Sequence, residues 1–308
     1  MIKQPLVSII MNCYNSDTYL VEAIDSIFAQ TYQNWEIIFW DNQSTDKSAD
    51  IIKSYNDSRI KYFYAPKHTN LGEGRNNALK KVNGDFFSFL DCDDIIDSKK
   101  IEIQVSIFLE NTNLGFVYSN GYRINNKGEK KTVFYRKALP NGHIFRETLK
   151  HYDIYIPTAM IKKSIVKENN ITFNKNYKHI EEYDFFLRIL FFSQAKYIDQ
   201  ELAYWRVHEQ SATWNNYEIF LEERKDFLEK FFNTKALKNQ YKNEINAVEK
   251  FNIYQEAISN WKQGNNKIAT KLMNTIKFFK SKYLLVFILV HINYKILYPI
   301  ISKFKYIK

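Results

Sequence analysis

Only two cysteines occur in the 308 residues, Cys13 and Cys92. They cannot supply the disulfide framework of a small secreted protein and, without a Cys-x-x-Cys pair, they do not suggest zinc. A reducing, cytoplasmic setting is expected. Eight glycines and five prolines are too few for a collagen-like or low-complexity chain. No Gly-x-Gly-x-x-Gly follows the first apolar run and no Gly-x-x-x-x-Gly-Lys-Ser/Thr exists, so dinucleotide and P-loop readings lose support. Acidic residues are missing altogether from residues 257–308, which hold ten lysines. The net charge of +10 is therefore confined to that stretch, behind a neutral body. A nucleic-acid binder carries basic charge across its reading face, so nucleic acid is not an expected partner. A long hydrophobic run is lacking too. From Tyr283 only twelve residues pass without a formal charge, against about twenty needed to span a bilayer.

What the chain does have is a globular composition, 45% hydrophobic and 17% aromatic, which excludes disorder. Its length suits one large domain or two ordinary ones. The run Leu6 to Met11 is too short for a signal-peptide core and reads as a buried strand. Leu20, Ala23, Ile24, Ile27 and Phe28 then recur at helical spacing behind a cap at Ser16 or Asp17. The pattern repeats. Trp35 to Trp40, Ile60 to Tyr64 and Phe86 to Leu90 read as strands, separated by helices towards Tyr55 and through Val82. Alternation of this kind predicts an α/β fold with a doubly wound, mostly parallel sheet. Further on, Ile101 to Leu109 and Glu182 to Phe192 read as helices. Gly115 to Asn120 and Tyr155 to Ile161 read as strands, the second weakened by Pro157, and Tyr197 to His208 reads as a strand pair or an extended edge. From Tyr217 onward the chain reads as helical.

Three strands end in polar residues: Asn12 to Asn15, Asp41-Asn42, and Asp91-Cys92-Asp93-Asp94. Ligands of open α/β sheets bind outside such carboxyl ends, so the three tips should converge on a nucleotide-type crevice. Three carboxylates in four residues repel one another unless compensated, and all-oxygen ligands suit Mg²⁺ or Mn²⁺ with a bound diphosphate. The plain alternative is a solvated acidic turn. Arg75, after Gly72-Glu73-Gly74, could contact base or phosphate. Glu181, Asp184 and Arg188 share a helical face with Glu182 pointing elsewhere, and a carboxylate at that helix start is a candidate general base. Arg206 and His208 share a strand face.

Together these residues resemble glycosyltransferase family 2, over about residues 5–215. The resemblance rests on Val7 to Asn15, Trp40-Asp41-Asn42-Gln43-Ser44-Thr45-Asp46, Asn70 to Asn77, Gly84-Asp85, Asp91 to Asp94, Glu181-Glu182 and His208, in that order. It implies a GT-A (Rossmann-like) fold and an inverting, metal-dependent enzyme that moves a sugar from a nucleotide-sugar, with UDP the expected nucleotide. It further implies that Asn12, Tyr14, Asp41, Asn42, Arg75 and Asp91 hold the donor nucleotide. Asp93, Asp91 and His208 would bind Mn²⁺ or Mg²⁺, and Glu182 would be the catalytic base. Two departures stand out: Asn42 where the family often has a second Asp, and Glu182 where Asp is commoner.

The domain expectation is a catalytic domain over 1–215, divided into a nucleotide-sugar half (1–95) and an acceptor half (96–215). A helical, lysine-rich region (216–308) would follow. Its lysines and aromatics fit a helix on an anionic membrane surface, the alternative being a bundle packed on the enzyme. Such an anchor suits a lipid-linked glycan acceptor of the lipopolysaccharide, O-antigen or capsule type, handled at the inner face of the cell membrane. A sugar nucleotidyltransferase would carry a Gly-rich, Lys- or Arg-bearing first loop, which Asn12-Cys13-Tyr14-Asn15 is not. A non-catalytic binding protein would not need the acids at 91, 93, 94 and 182.

Overall fold

The computed structural model describes residues 4–208 and 217–276, with 286, 288–290 and 294 beyond them. The chain divides into two compact units, Met1–Thr213 and Trp214–Lys308.

The first unit begins with strands of Val, Ile, Phe and Trp, three of them buried on both faces, as a parallel sheet covered by helices requires. In chain order these are β1 (Val7–Cys13), α1 (Asp17–Phe28), β2 (Trp35–Asp41), α2 (Ser48–Ser54), β3 (Ile60–Tyr64), α3 (Leu71–Leu79) and β4 (Phe86–Phe89). β1 lies between β2 and β4, and β3 pairs with β2, all parallel. Leu20, Ala23, Ile24 and Ile27 of α1 are buried in one core with Ile9, Met11, Ile37 and Phe39.

After the acidic tip come β5 (Ile95–Ile96), α4 (Lys100–Glu110), β6 (Leu114–Ile124), β7 (Lys130–Val133) and α5 (Phe145–Lys150). A 3₁₀ turn (Ile156–Thr158), β8 (Met160–Lys162), α6 (Lys163–Glu168), α7 (Glu181–Phe192) and β9 (Gln194–Arg206) complete the unit. The sheet has nine strands, ordered β3-β2-β1-β4-β8-β6-β9-β5 with β7 on β6. Here the architecture is more mixed than strand alternation suggests. β8 runs antiparallel to both β4 and β6, and β5 antiparallel to β9, while β6 and β9 are parallel. Pro157 explains the short β8: it sits in the 3₁₀ turn, having no N–H for a ladder. Tyr197 to His208 is not an edge, because β9 is flanked by β6 and β5.

The helix starts differ from the expected caps. The Ser16 side chain makes no capping bond to α1. Instead Asp46 accepts from the backbone N–H groups of both Asp17 and Ser48, at 3.0 Å each, serving α1 and α2 together. Gly84 is required for close packing: a Cβ there would lie 2.6 Å from the carbonyls of Leu6 and Phe86. Lys100 is completely buried, with Nζ 2.9 Å from Ser88 Oγ. Burial pushes its ammonium down to about 7.

The second unit holds α8 (Tyr217–Phe231), α9 (Lys235–Gln240), α10 (Lys242–Lys262) and α11 (Asn266–Ile276). α10 and α11 close on Ala257, Trp261, Ala269 and Met273, through a turn at Gly264, whose φ is +89°. Val286 and Val290 are buried in this same core, so these two positions of the apolar run serve the unit's own packing. Most of the run from Tyr283, and every lysine from Lys277 on, lies outside the described residues, and the membrane-surface expectation falls largely there. Among the described residues no helix is long and apolar enough to cross a membrane.

Candidate active site

The site is built on the carboxyl ends of β1, β2 and β4. Asn15 (φ +48°) and Gln43 (φ +69°) turn the chain at the first two tips in the left-handed region. Gln43 thus holds a backbone conformation that favours glycine.

The acidic tip separates three carboxylates by their surroundings. Asp94 is buried, with Oδ1 accepting from the Arg206 N–H at 2.9 Å. Burial, then Asp93 and Asp91, raise it well above the usual carboxylate range. Asp93 keeps 34% of its side-chain exposure, with Oδ2 3.0 Å from His208 Nε2. The Asp91 side chain is 38% exposed and lies 3.4 Å from Arg75 Nη2. Desolvation pushes Asp91 up to about 6, helped by Glu182 and Asp93 and opposed by Arg75. Arg206, itself fully buried, locks the tip in place. Its Nε donates to the Asp93 carbonyl at 2.8 Å, and its Nη2 meets Glu22 at 2.7 Å.

Arg75 is the centre of a second cluster. Its guanidinium is 1% exposed and lies 3.0 Å from Glu182, 3.3 Å from Glu181 and 3.4 Å from Asp91. It also sits between the rings of Phe89 and Phe173, with Cζ 5.8 and 5.7 Å from their centroids. Three carboxylates and two aromatic faces thus enclose Arg75. One expectation is corrected. Glu182 does not point away from Glu181: at the first turn of α7 both reach the same guanidinium nitrogen, Nη1. Asp184 instead pairs with Arg188 at 2.7 Å.

At the tip of β2, Asp41 and Asn42 are also committed internally. Asp41 is buried, accepting from the Ser44 N–H and the Tyr62 hydroxyl at 2.7 Å each. Asn42 donates to the Thr69 carbonyl at 2.7 Å and accepts from the Thr69 N–H at 3.1 Å. Both side chains hold loops. Asn12 differs. Both polar atoms of its amide are buried with no hydrogen-bond partner among the described residues, and a buried orphan amide costs free energy unless a ligand meets it. Gly74 makes room for it, since a Cβ there would come within 3.2 Å of Asn12 Nδ2. Tyr14, 51% exposed, pairs with His68, ring centroids 4.4 Å apart, to form an open aromatic lip beside it.

The arrangement offers an orphan amide and aromatic lip on one side, two accessible carboxylates and a histidine in the middle, and a further carboxylate on α7. Residues 8–169 match the family model described as glycosyl transferase family 2, just over half of the chain. The chain belongs to glycosyltransferase family 2. It is 34% identical over 185 residues to an Escherichia coli UDP-Glc:alpha-D-GlcNAc-diphosphoundecaprenol beta-1,3-glucosyltransferase, covering 60% of this chain and 70% of that one. An uncharacterized glycosyltransferase of Haemophilus influenzae is 35% identical over 208 residues, with 65% and 76% covered. The structure of Staphylococcus aureus TarS residues 1–349 with UDP-GlcNAc superposes with a TM-score of 0.68 at 19% identity, over 92% of this chain and 79% of that one. The fold is thus the GT-A type, carried on this chain by an α/β sheet with a helical C-terminal region.

In this glycosyltransferase, sequence reasoning missed His68 and the locking role of Arg206. His68 had no motif around it and reaches Tyr14 only through the loop after β3. Arg206 was visible in Tyr-Trp-Arg-Val-His, but its grip on Asp93 and Asp94 spans more than a hundred residues.

Proposed function

We propose that the enzyme is an inverting, metal-dependent glycosyltransferase that moves a sugar from a UDP-sugar to a hydroxyl of a lipid-linked, diphosphate-bearing sugar acceptor during assembly of a bacterial surface glycan. The observation that carries this reading is the Arg75 cluster, which joins the α7 carboxylate Glu182 to the acidic tip through Asp91. Of the two glutamates Glu182 is the more accessible, at 28% exposure, and it takes the proton of the acceptor hydroxyl as that oxygen attacks the anomeric carbon. Asn12 supplies a donor and an acceptor edge of the kind a uracil imide complements, with Tyr14 and His68 as the flanking surface. The acceptor class follows the E. coli relative's named substrate.

Among the described residues no three His, Cys, Asp or Glu side chains are grouped to hold a metal by themselves. That suits Mg²⁺ or Mn²⁺, which bind through one or two carboxylates together with substrate phosphates and waters. Asp93 would hold the ion, with Asp91 and His208 beside it, and the bound ion would stabilise charge on the departing diphosphate. The test is a screen of UDP-, GDP- and dTDP-sugars against a GlcNAc-diphosphoalkyl acceptor, with Mn²⁺, with Mg²⁺ and with EDTA. One donor should turn over, and only with metal. Asp93→Asn is expected to abolish the Mn²⁺-dependent part of UDP binding by calorimetry; unchanged Mn²⁺ dependence would remove Asp93 from the metal site.

The reading places the enzyme at an anionic membrane surface through the C-terminal lysines, each worth about 1 kcal/mol near such a surface. Replacing Lys303, Lys305 and Lys308 with Gln, which leaves the core residues Val286 and Val290 in place, should weaken co-sedimentation with phosphatidylglycerol vesicles and leave transfer to a short-chain acceptor intact. Equal sedimentation of the two proteins would refute the anchor.

A further inference from the structure

Arg123 occupies a setting that the donor chemistry does not use. It lies near the end of β6, in register with Trp205 of β9, one pair before Ile124 and Arg206. Arg206 grips the acidic tip, and successive strand residues leave opposite faces, so Arg123 and Trp205 stand together on the other face. Three rings frame the guanidinium. Its Cζ is 5.8 Å from the centroid of Phe134, 5.6 Å from Tyr155 and 5.7 Å from Trp205. Phe134 stacks on Tyr155 at 4.0 Å, and Tyr155 meets Trp205 at 5.2 Å.

The frame is built rather than incidental. Arg123 Nη2 donates to the Tyr155 hydroxyl. Phe134 sits on Gly121, where a Cβ would come within 2.5 Å of its ring. Asn120 fastens the next residue by accepting from the Tyr135 N–H at 3.1 Å and donating to its carbonyl at 2.9 Å. Yet among the described residues no carboxylate lies within ion-pair distance of Arg123, whereas Arg75 and Arg206 each have at least one. A half-buried guanidinium held by neutral rings keeps its remaining N–H donors for an anion, and arginine's fork matches phosphate oxygens.

Tyr152 links this frame to the α7 carboxylates. Its hydroxyl is buried with no hydrogen-bond partner among the described residues, and its ring lies 5.3 Å from that of Tyr183, the neighbour of Glu182 in sequence. Burial raises the Tyr152 hydroxyl first, followed by Glu182 and Tyr135, so the phenol stands within electrostatic reach of both the proposed base and the aromatic segment.

We infer that Arg123, framed by Phe134, Tyr155 and Trp205, is an acceptor subsite that takes the diphosphate through which the acceptor sugar is carried. The sugar itself lies over the rings, towards Tyr152 and Glu182. This inference rests on the acceptor class proposed above. The half-buried rings of Phe134, Tyr155 and Trp205 supply apolar area to a sugar ring, and a charge-assisted fork supplies orientation. The anion is assigned to the acceptor because Arg123 and Trp205 leave the face of β6 and β9 opposite to Arg206, the residue that grips the acidic tip.

The experiment compares two probes on the full-length enzyme: a GlcNAc-diphosphoalkyl acceptor and the neutral alkyl glycoside of the same sugar. Binding of each is measured by calorimetry with UDP and Mg²⁺ present, and transfer is measured separately. Arg123→Gln should weaken the diphosphate probe by about ten- to a hundredfold, the loss of a charge-assisted bond, while binding of the neutral glycoside and of UDP stays unchanged. Arg123→Lys should restore part of the loss. Equal weakening of both probes would make Arg123 a structural residue, and unchanged affinity for the diphosphate probe would remove the subsite. Weakened UDP binding would assign the anion to the donor and equally overturn the inference. Because binding is read without turnover, failure of transfer from every donor would count against the proposed reaction and not against the subsite.

Discussion

Glu182→Gln is expected to lower kcat by roughly 10²–10⁴-fold, the usual contribution of a positioned general base, with UDP affinity essentially unchanged. The substitution keeps the shape of the side chain and removes its capacity to take a proton together with its charge. Arg75 then keeps two of its three carboxylates, Glu181 at 3.3 Å and Asp91 at 3.4 Å, so the cluster stays assembled and a folding defect is not the expected cause. Rate and binding therefore separate. Transfer at the wild-type rate would exclude Glu182 as the base; loss of UDP affinity and rate together would show instead that the side chain supports the donor site. Glu182→Asp, which installs the family's commoner residue, should retain part of the rate, limited by a reach shorter by one methylene.

Arg75→Met should have the largest effect on stability. It strands three carboxylates around a position that is 1% exposed, and removing one partner of a buried ionic cluster costs about 3–5 kcal/mol. The loss should depend on pH in a defined direction. Asp91 is already held at about 6 with the guanidinium present, and without it Asp91 rises further. A carboxyl whose folded value is raised above its unfolded value gives its stability below the unfolded value and loses it as pH rises through the folded one. The variant should therefore lose most stability, relative to wild type, above about pH 6 and regain part of it near pH 5. Urea melts at pH 5 and pH 8 test this. A deficit independent of pH would mean that Arg75 acts mainly through its packing between Phe89 and Phe173.

How much of the site was legible depended on how local its causes were. The strand tips were: Asn12, Asp41 and Asp91 each end an apolar run, and β1, β2 and β4 do lie side by side with those ends together. The acidic character of the tip was legible too. The division of labour within it was not, because Asp94 differs from Asp93 through a backbone N–H of Arg206, 112 residues away. That Asp41 and Asn42 also hold loops was not legible, since the sequence displays a polar side chain but not the Tyr62 hydroxyl or the Thr69 backbone that meets it. The mixed second half of the sheet escaped periodicity for a similar reason. Pro157 cut short β8, the strand that runs antiparallel to its neighbours on both sides.

The amino-acid order alone determined the alternation of β1 to β4 with their helices, the family pattern, the acidic tip and the separation of a neutral body from a lysine-rich end. These follow from spacing of apolar residues, backbone preferences and formal charge, all of which act within a few residues. Tertiary structure alone decided which charges are spent and which are available. Arg75 is enclosed by Asp91, Glu181 and Glu182, Lys100 is buried against Ser88, and Arg123 is ringed by Phe134, Tyr155 and Trp205. A charged side chain has no chemical role until its desolvation and its partners are known, and those are set by segments that meet only when the chain folds.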